Sequence, residues 1–138
     1  MTDRTMLQFD YEEAHRQNVV AVLRQRDGHA GWQAMAIITE GDAVVLRVDP
    51  NSDEIALTFE PAPDSDAGWI EILEMADVIG APLGWCWVGR NYRGYLAMFT
   101  LSFSGLEPQF CFVAEAGTMT IRRIITASFT TLTLMQNF

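Results

Sequence analysis

A chain of 138 residues has the length of about one domain. At 49% hydrophobic it has the material for a core, which excludes a disordered or low-complexity protein. Eighteen acids against nine bases leave a net charge of −9, which argues against non-specific nucleic-acid binding, since that rests on cation–phosphate contacts.

All nine basic residues are arginine. Chemistry that needs a titratable amine is therefore out: no Schiff-base lysine, no phosphate-loop lysine, no lysine general base. The charge is uneven, with sixteen acids against five arginines in residues 1–79 and two acids against four arginines in residues 80–138. Two cysteines do not make a disulfide framework. No apolar run approaches the ~18 residues of a membrane span, and the first ten residues hold no apolar secretory segment. The expectation is one cytoplasmic domain, 1–138, with no membrane partner.

In chain order, Asp10 with Glu13 three residues on favours a short helix over 10–16. Residues 15–23 read as helix or strand, and Val19, Val20 and Val22 favour strand. Four strands follow, over 19–26, 32–39, 43–49 and 54–60, separated by turn residues such as Asp27-Gly28, Glu40-Gly41-Asp42 and Asp49-Pro50-Asn51. Pro61 and Pro63 then break the pattern.

Trp69, Ile72, Leu73, Met75, Ala76 and Ile79 recur at three and four, which predicts a helix capped by Asp66 and stopped by Gly80. After Pro82 the alternation of strands resumes over 83–90, 95–104, 109–114 and 118–125, with 127–135 as a further candidate. Hairpin-length turns imply antiparallel pairing. The expected fold is α+β and mostly antiparallel β: four strands, one helix, then four or five strands. They would form a strongly curved sheet or two packed sheets, with the helix covering one side. Ile55, Leu57, Phe59, Phe99, Leu101 and Ile121 lie on the apolar faces of these runs and are the candidate core.

The segment 83–96 is the most conspicuous, with Trp85, Trp87, Arg90, Tyr92, Arg93 and Tyr95 close together. Asn91-Tyr92-Arg93-Gly94 reads as a hairpin turn with Gly94 left-handed. Arg90 and Arg93 around Tyr92 suit a phosphate, a carboxylate or an acidic protein surface. The plain alternative is tryptophans in the core and arginines in water. An aromatic pocket of Trp85, Trp87, Tyr95 and Phe99 is a third arrangement.

Ile79-Gly80, Leu83-Gly84-Trp85-Cys86-Trp87, Asn91 with Gly94-Tyr95, Leu101-Ser102-Phe103 and Ile121-Arg122-Arg123-Ile124 carry a resemblance. Over 69–125 the chain resembles a family of small uncharacterised bacterial proteins, a domain of unknown function. The resemblance implies a one-domain bacterial protein and contributes no catalytic residue.

Other constellations are thin. Asp49, Asn51, Asp53 and Glu60 fit calcium-loop positions, but Glu54 stands where the loop needs glycine and the flanks read as strands. Ser102-Phe103-Ser104-Gly105 lacks the first glycine of a nucleophile elbow. Cys86 and Cys111 sit in apolar strands and read as buried reduced thiols. His15 and His29 have no zinc-ligand spacing, and nothing in the sequence brings Glu107 and Glu115 together. No metal, cofactor or catalytic set is expected. The leading expectation is a non-enzymatic acidic binding protein, an accessory or immunity-like partner of another bacterial protein, and a homodimer joined through the Arg90–Arg93 hairpin is compatible with this or with the alternative. The alternative is a small-molecule-binding domain or enzyme with an aromatic-lined pocket.

Overall fold

The computed structural model describes residues 14–25, 32–63 and 68–124. Among these residues nine strands form two antiparallel sheets: β1 (Val19–Gln25), β2 (Ala34–Thr39), β3 (Ala43–Asp49), β4 (Glu54–Glu60), β5 (Trp69–Glu71), β6 (Leu83–Arg90), β7 (Leu96–Phe103), β8 (Phe110–Glu115) and β9 (Thr118–Arg123). The first sheet has the order β4-β3-β2-β1-β5 and the second the order β6-β7-β8-β9. All neighbours but β1–β5 follow one another in sequence, as short turns between alternating runs require.

One core lies between the sheets. Met35, Ile37, Val44, Leu46, Ile55 and Leu57 of the first sheet join Phe99, Leu101, Phe103, Phe110 and Phe112 of the second. Phe99 stacks on Phe112 at 6.4 Å and Phe103 meets Phe110 edge-on at 6.0 Å, both favourable ring geometries. Of the six expected core residues, Ile55, Leu57, Phe99 and Leu101 are buried, while Phe59 and Ile121 pack half-buried against the same cluster. Ala36, Ala43 and Val45, one step out of phase with Val44 and Leu46, form a smaller buried cluster with Ile38 and Trp69 on the other face of the first sheet.

The sheets are also tied at one end. The Asp53 carboxylate accepts the Gly117 N–H at 2.7 Å, and Gln33 Nε2 donates to the Gly117 carbonyl. Met119 N–H donates to the Trp32 carbonyl at 2.8 Å. Asp49 accepts the Asn51 N–H, and Glu60 is held by Arg47 at 3.0 Å. The carboxylates of the calcium-like spacing thus serve turns and a cross-strand pair.

The expected covering helix is absent, and the α+β expectation gives way to a nearly all-β fold. Trp69–Glu71 pairs with β1 instead, Glu71 opposite Leu23 and Trp69 opposite Gln25. The free edge of β1 satisfies those backbone groups, and tertiary pairing outranks local periodicity. What remains is a six-residue 3-10 turn, Leu73–Val78, with a break at Met75, too short to repay an α-helical nucleus. Ile72, Met75 and Val78 are buried at a spacing of three, the repeat of a 3-10 turn, whereas Leu73 and Ile79 of the expected apolar face are exposed. The expected strands otherwise match within a residue or two. Residues 10–13 of the expected short helix, residues 26–31, the expected cap Asp66 and the candidate strand over 127–135 lie outside the described residues.

Candidate functional site

Among the described residues β6 is one of the two edge strands of the second sheet, and its sequence carries no charge before Arg90. Its first residue is covered. Arg16 N–H donates to the Leu83 carbonyl at 2.8 Å, Leu83 N–H to the Gln17 carbonyl, and Val19 N–H to the Ala81 carbonyl. Residues 16–19 therefore run antiparallel along 80–83. At Arg16, whose φ is +74°, the chain turns out of that lane. Beyond it the edge strand is exposed: Trp85 is 49%, Trp87 41% and Val88 42% accessible.

A bulge shapes the start of this edge. Ladder pairing shifts between Leu83 and Cys86, and the Trp85 N–H is taken by the Ser102 hydroxyl at 2.7 Å. That hydroxyl in turn donates to the Gly105 carbonyl, and Ser102 is fully buried. Gln109 Oε1 accepts the Phe103 N–H at 2.7 Å, which fastens the 104–108 turn from its other side. Gly84 makes this closure feasible, since a Cβ there would sit 2.3 Å from Ser102 Oγ and 2.4 Å from the Gly105 carbonyl oxygen.

The result is a groove of about 460 Å³ lined by His15, Arg16, Pro82, Leu83, Gly84, Trp85, Ser104, Gly105 and Leu106. The His15 imidazole lies against the Trp85 indole, ring centres 5.3 Å apart. Among the described residues no carboxylate lines this groove, in a chain of net charge −9. Arg16 and Ser104, with φ of +74° and +72°, are two of the four left-handed non-glycine residues among those described. Such strain concentrates at sites where the surroundings hold it for a purpose.

The other end of β6 is the hairpin read from the sequence. Asn91 Oδ1 accepts the N–H groups of Arg93 and Tyr95, and Gly94 has φ +87°. Arg90 folds back to donate to the Gly94 carbonyl at 3.1 Å, so it braces the turn. Tyr92, 95% exposed, and Arg93 form the tip.

The six expected site residues thus share one edge but not one pocket. Trp85 lines the groove and Trp87 sits opposite Thr100, on the face away from the core. Phe99 is fully buried between the sheets, so the aromatic pocket of Trp85, Trp87, Tyr95 and Phe99 is not assembled. Arg47, Arg122 and Arg123 pair with Glu60, Glu115 and Asp77, and Arg24 lies over Trp32. Arg16 and Arg93, at opposite ends of β6, are the guanidinium groups without a partner among the described residues.

Comparison with known proteins adds the family. A model described as a family of unknown function, DUF6334, matches residues 1–128. The chain belongs to that family. The match extends the resemblance seen over 69–125 to nearly the whole DUF6334 chain. No curated protein and no solved structure matches it. Among the described residues no helix is long and apolar enough to cross a membrane, and no three His, Cys, Asp or Glu side chains gather as metal ligands.

Sequence reading missed Arg16 and Leu106 and weighed Ser102 only as a nucleophile, not as the strut behind Trp85. Arg16 stands in no motif, and Ser102 is recognisable only once β6 and the 104–108 turn are seen together.

Proposed function

We propose that this is a non-enzymatic binding module that recognises another protein along the β6 edge. The observation that carries the reading is the distribution of exposed apolar surface. Of nine large hydrophobic side chains exposed among the described residues, six (Trp85, Trp87, Val88, Tyr92, Met98 and Leu106) lie on β6, β7 and their turns. Buried strand edges are the rule, and long uncharged ones that stay open are templates for another chain. Aromatic and arginine side chains are also the commonest anchors of protein interfaces.

The site chemistry supports binding over catalysis. The Ser102 hydroxyl is buried and fully engaged. Burial pushes the Cys86 thiol up to about 11, away from thiolate character. A photoreactive residue placed at Trp87, with a control at exposed Ala56, tests the reading in the native host. A discrete protein adduct at 87 and not at 56 is the expected result. Equal labelling at both, or none at 87, refutes it. A second copy of the chain is the competing occupant, and a crosslinked dimer at 87 that no longer forms with Arg93→Glu identifies it.

A further inference from the structure

The two ends of the β6 edge differ, and the difference specifies the partner's chemistry. Residues 16–19 already occupy the lane beside 80–83, running antiparallel to β6. A strand docked beside Trp85–Arg90 enters the same lane and is blocked where the 14–16 turn begins. An antiparallel guest runs in the same direction as 16–19, so the end that meets the block is its C-terminal end. Waiting there are Arg16, a guanidinium without a partner among the described residues, and the groove, whose described lining holds no carboxylate. A parallel guest would bring an ammonium group to the same arginine.

Resting on the proposed edge docking, we infer that the partner is an extended peptide that ends in a free carboxylate at Arg16. Its last side chain is apolar and enters the groove between Trp85, Leu83 and Leu106. The carboxylate gains charge-assisted hydrogen bonds from Arg16, and a main-chain carboxylate is the one anion that every antiparallel guest ending at that point carries. The other unpartnered cation sets the guest's length. Trp85–Arg90 spans about 20 Å at ~3.4 Å per residue, which brings Arg93 beside a guest residue about six or seven positions upstream. An acidic side chain there complements it, and the two contacts together fix register along an otherwise uncharged edge.

The test is a display library of random decapeptides with free C-termini, panned on the full chain against the same library with the random segment held internally. Enrichment of free-ended peptides, with an apolar last residue and an acid about six positions before it, is expected. The most enriched peptide is then synthesised as free acid and as C-terminal amide, and both are titrated by fluorescence anisotropy. Amidation should weaken binding about tenfold or more to the wild type, and about twofold at most to Arg16→Gln. The amide control needs no change in the protein, so misfolding does not enter it. Internal segments that bind the β6 edge, or an amide that binds as well as the acid, overturn the terminal-carboxylate inference and leave edge docking standing. No enrichment from either library overturns both.

Discussion

Gly84→Ala places a methyl group where the structure has none to spare. The new Cβ would lie 2.3 Å from Ser102 Oγ and 2.4 Å from the Gly105 carbonyl oxygen, about 1 Å inside ordinary contact. Neither neighbour is the free end of a flexible side chain. Ser102 is fully buried and holds the Trp85 N–H at 2.7 Å, and the carbonyl belongs to the turn that walls the groove. Relief requires that the turn move away from β6. Overpacking costs about 1–3 kcal/mol, and loosening the buried Ser102 hydrogen bonds adds about 1–2 kcal/mol. The expected loss is therefore about 2–5 kcal/mol in urea unfolding, with an unchanged m-value. Ser102→Ala alone should cost about 1–3 kcal/mol. In the double variant the two should fall short of additivity by about 1 kcal/mol, because the hydroxyl clash vanishes with the hydroxyl. A Gly84→Ala loss below about 0.5 kcal/mol, or strict additivity, refutes the strut between β6 and the 104–108 turn.

Four further outcomes follow from the core and the titratable groups. Phe99→Ala removes a fully buried ring stacked on Phe112 and should cost about 3–5 kcal/mol in urea, and under about 1 kcal/mol would contradict its placement. Cys86 and Cys111 flank β7, opposite Leu101 and Thr100, so they sit about 10 Å apart on opposite faces and should stay unlinked even under oxidant. A two-dalton mass deficit would sink that geometry. Because the Cys86 thiol is raised from 9.0 to about 11, the unfolded chain loses its proton first, and stability should fall between these values relative to Cys86→Ala. At the acid end, Arg47 holds Glu60 below its ordinary range and Arg123 does the same for Asp77. Their stabilisation is present above the ordinary carboxylate range and is lost as pH falls through the lowered values. Both pairs are exposed, so Glu60→Gln should cost no more than about 1 kcal/mol at pH 7 and nothing once Glu60 is protonated.

The strands were legible because alternation of period two is written in single residues. Phe99 and Leu101 against Thr100 and Ser102 assign a face without any knowledge of partners. The hairpin at Asn91–Gly94 was legible for the same local reason, since only its own residues make it. The 69–79 segment was misread because its pattern fits two structures, and the choice between them lies in β1. Once β1 offers an open edge to Trp69–Glu71, too few residues remain for an α-helix, and the burial of Ile72, Met75 and Val78 follows a spacing of three. The site was half legible. Trp85, Trp87 and Arg93 stand out by type, but Arg16 joins them only because residues 16–19 lie along 80–83, a pairing between segments more than sixty residues apart that no local pattern encodes.

Hydrogen exchange of the full chain, with and without the enriched free-acid peptide, tests the β6 edge most directly. The account predicts slowed exchange across Trp85–Arg90 and none across β4, the corresponding edge of the first sheet. Protection confined to β4, or spread evenly over both sheets with no excess at 85–90, would contradict it.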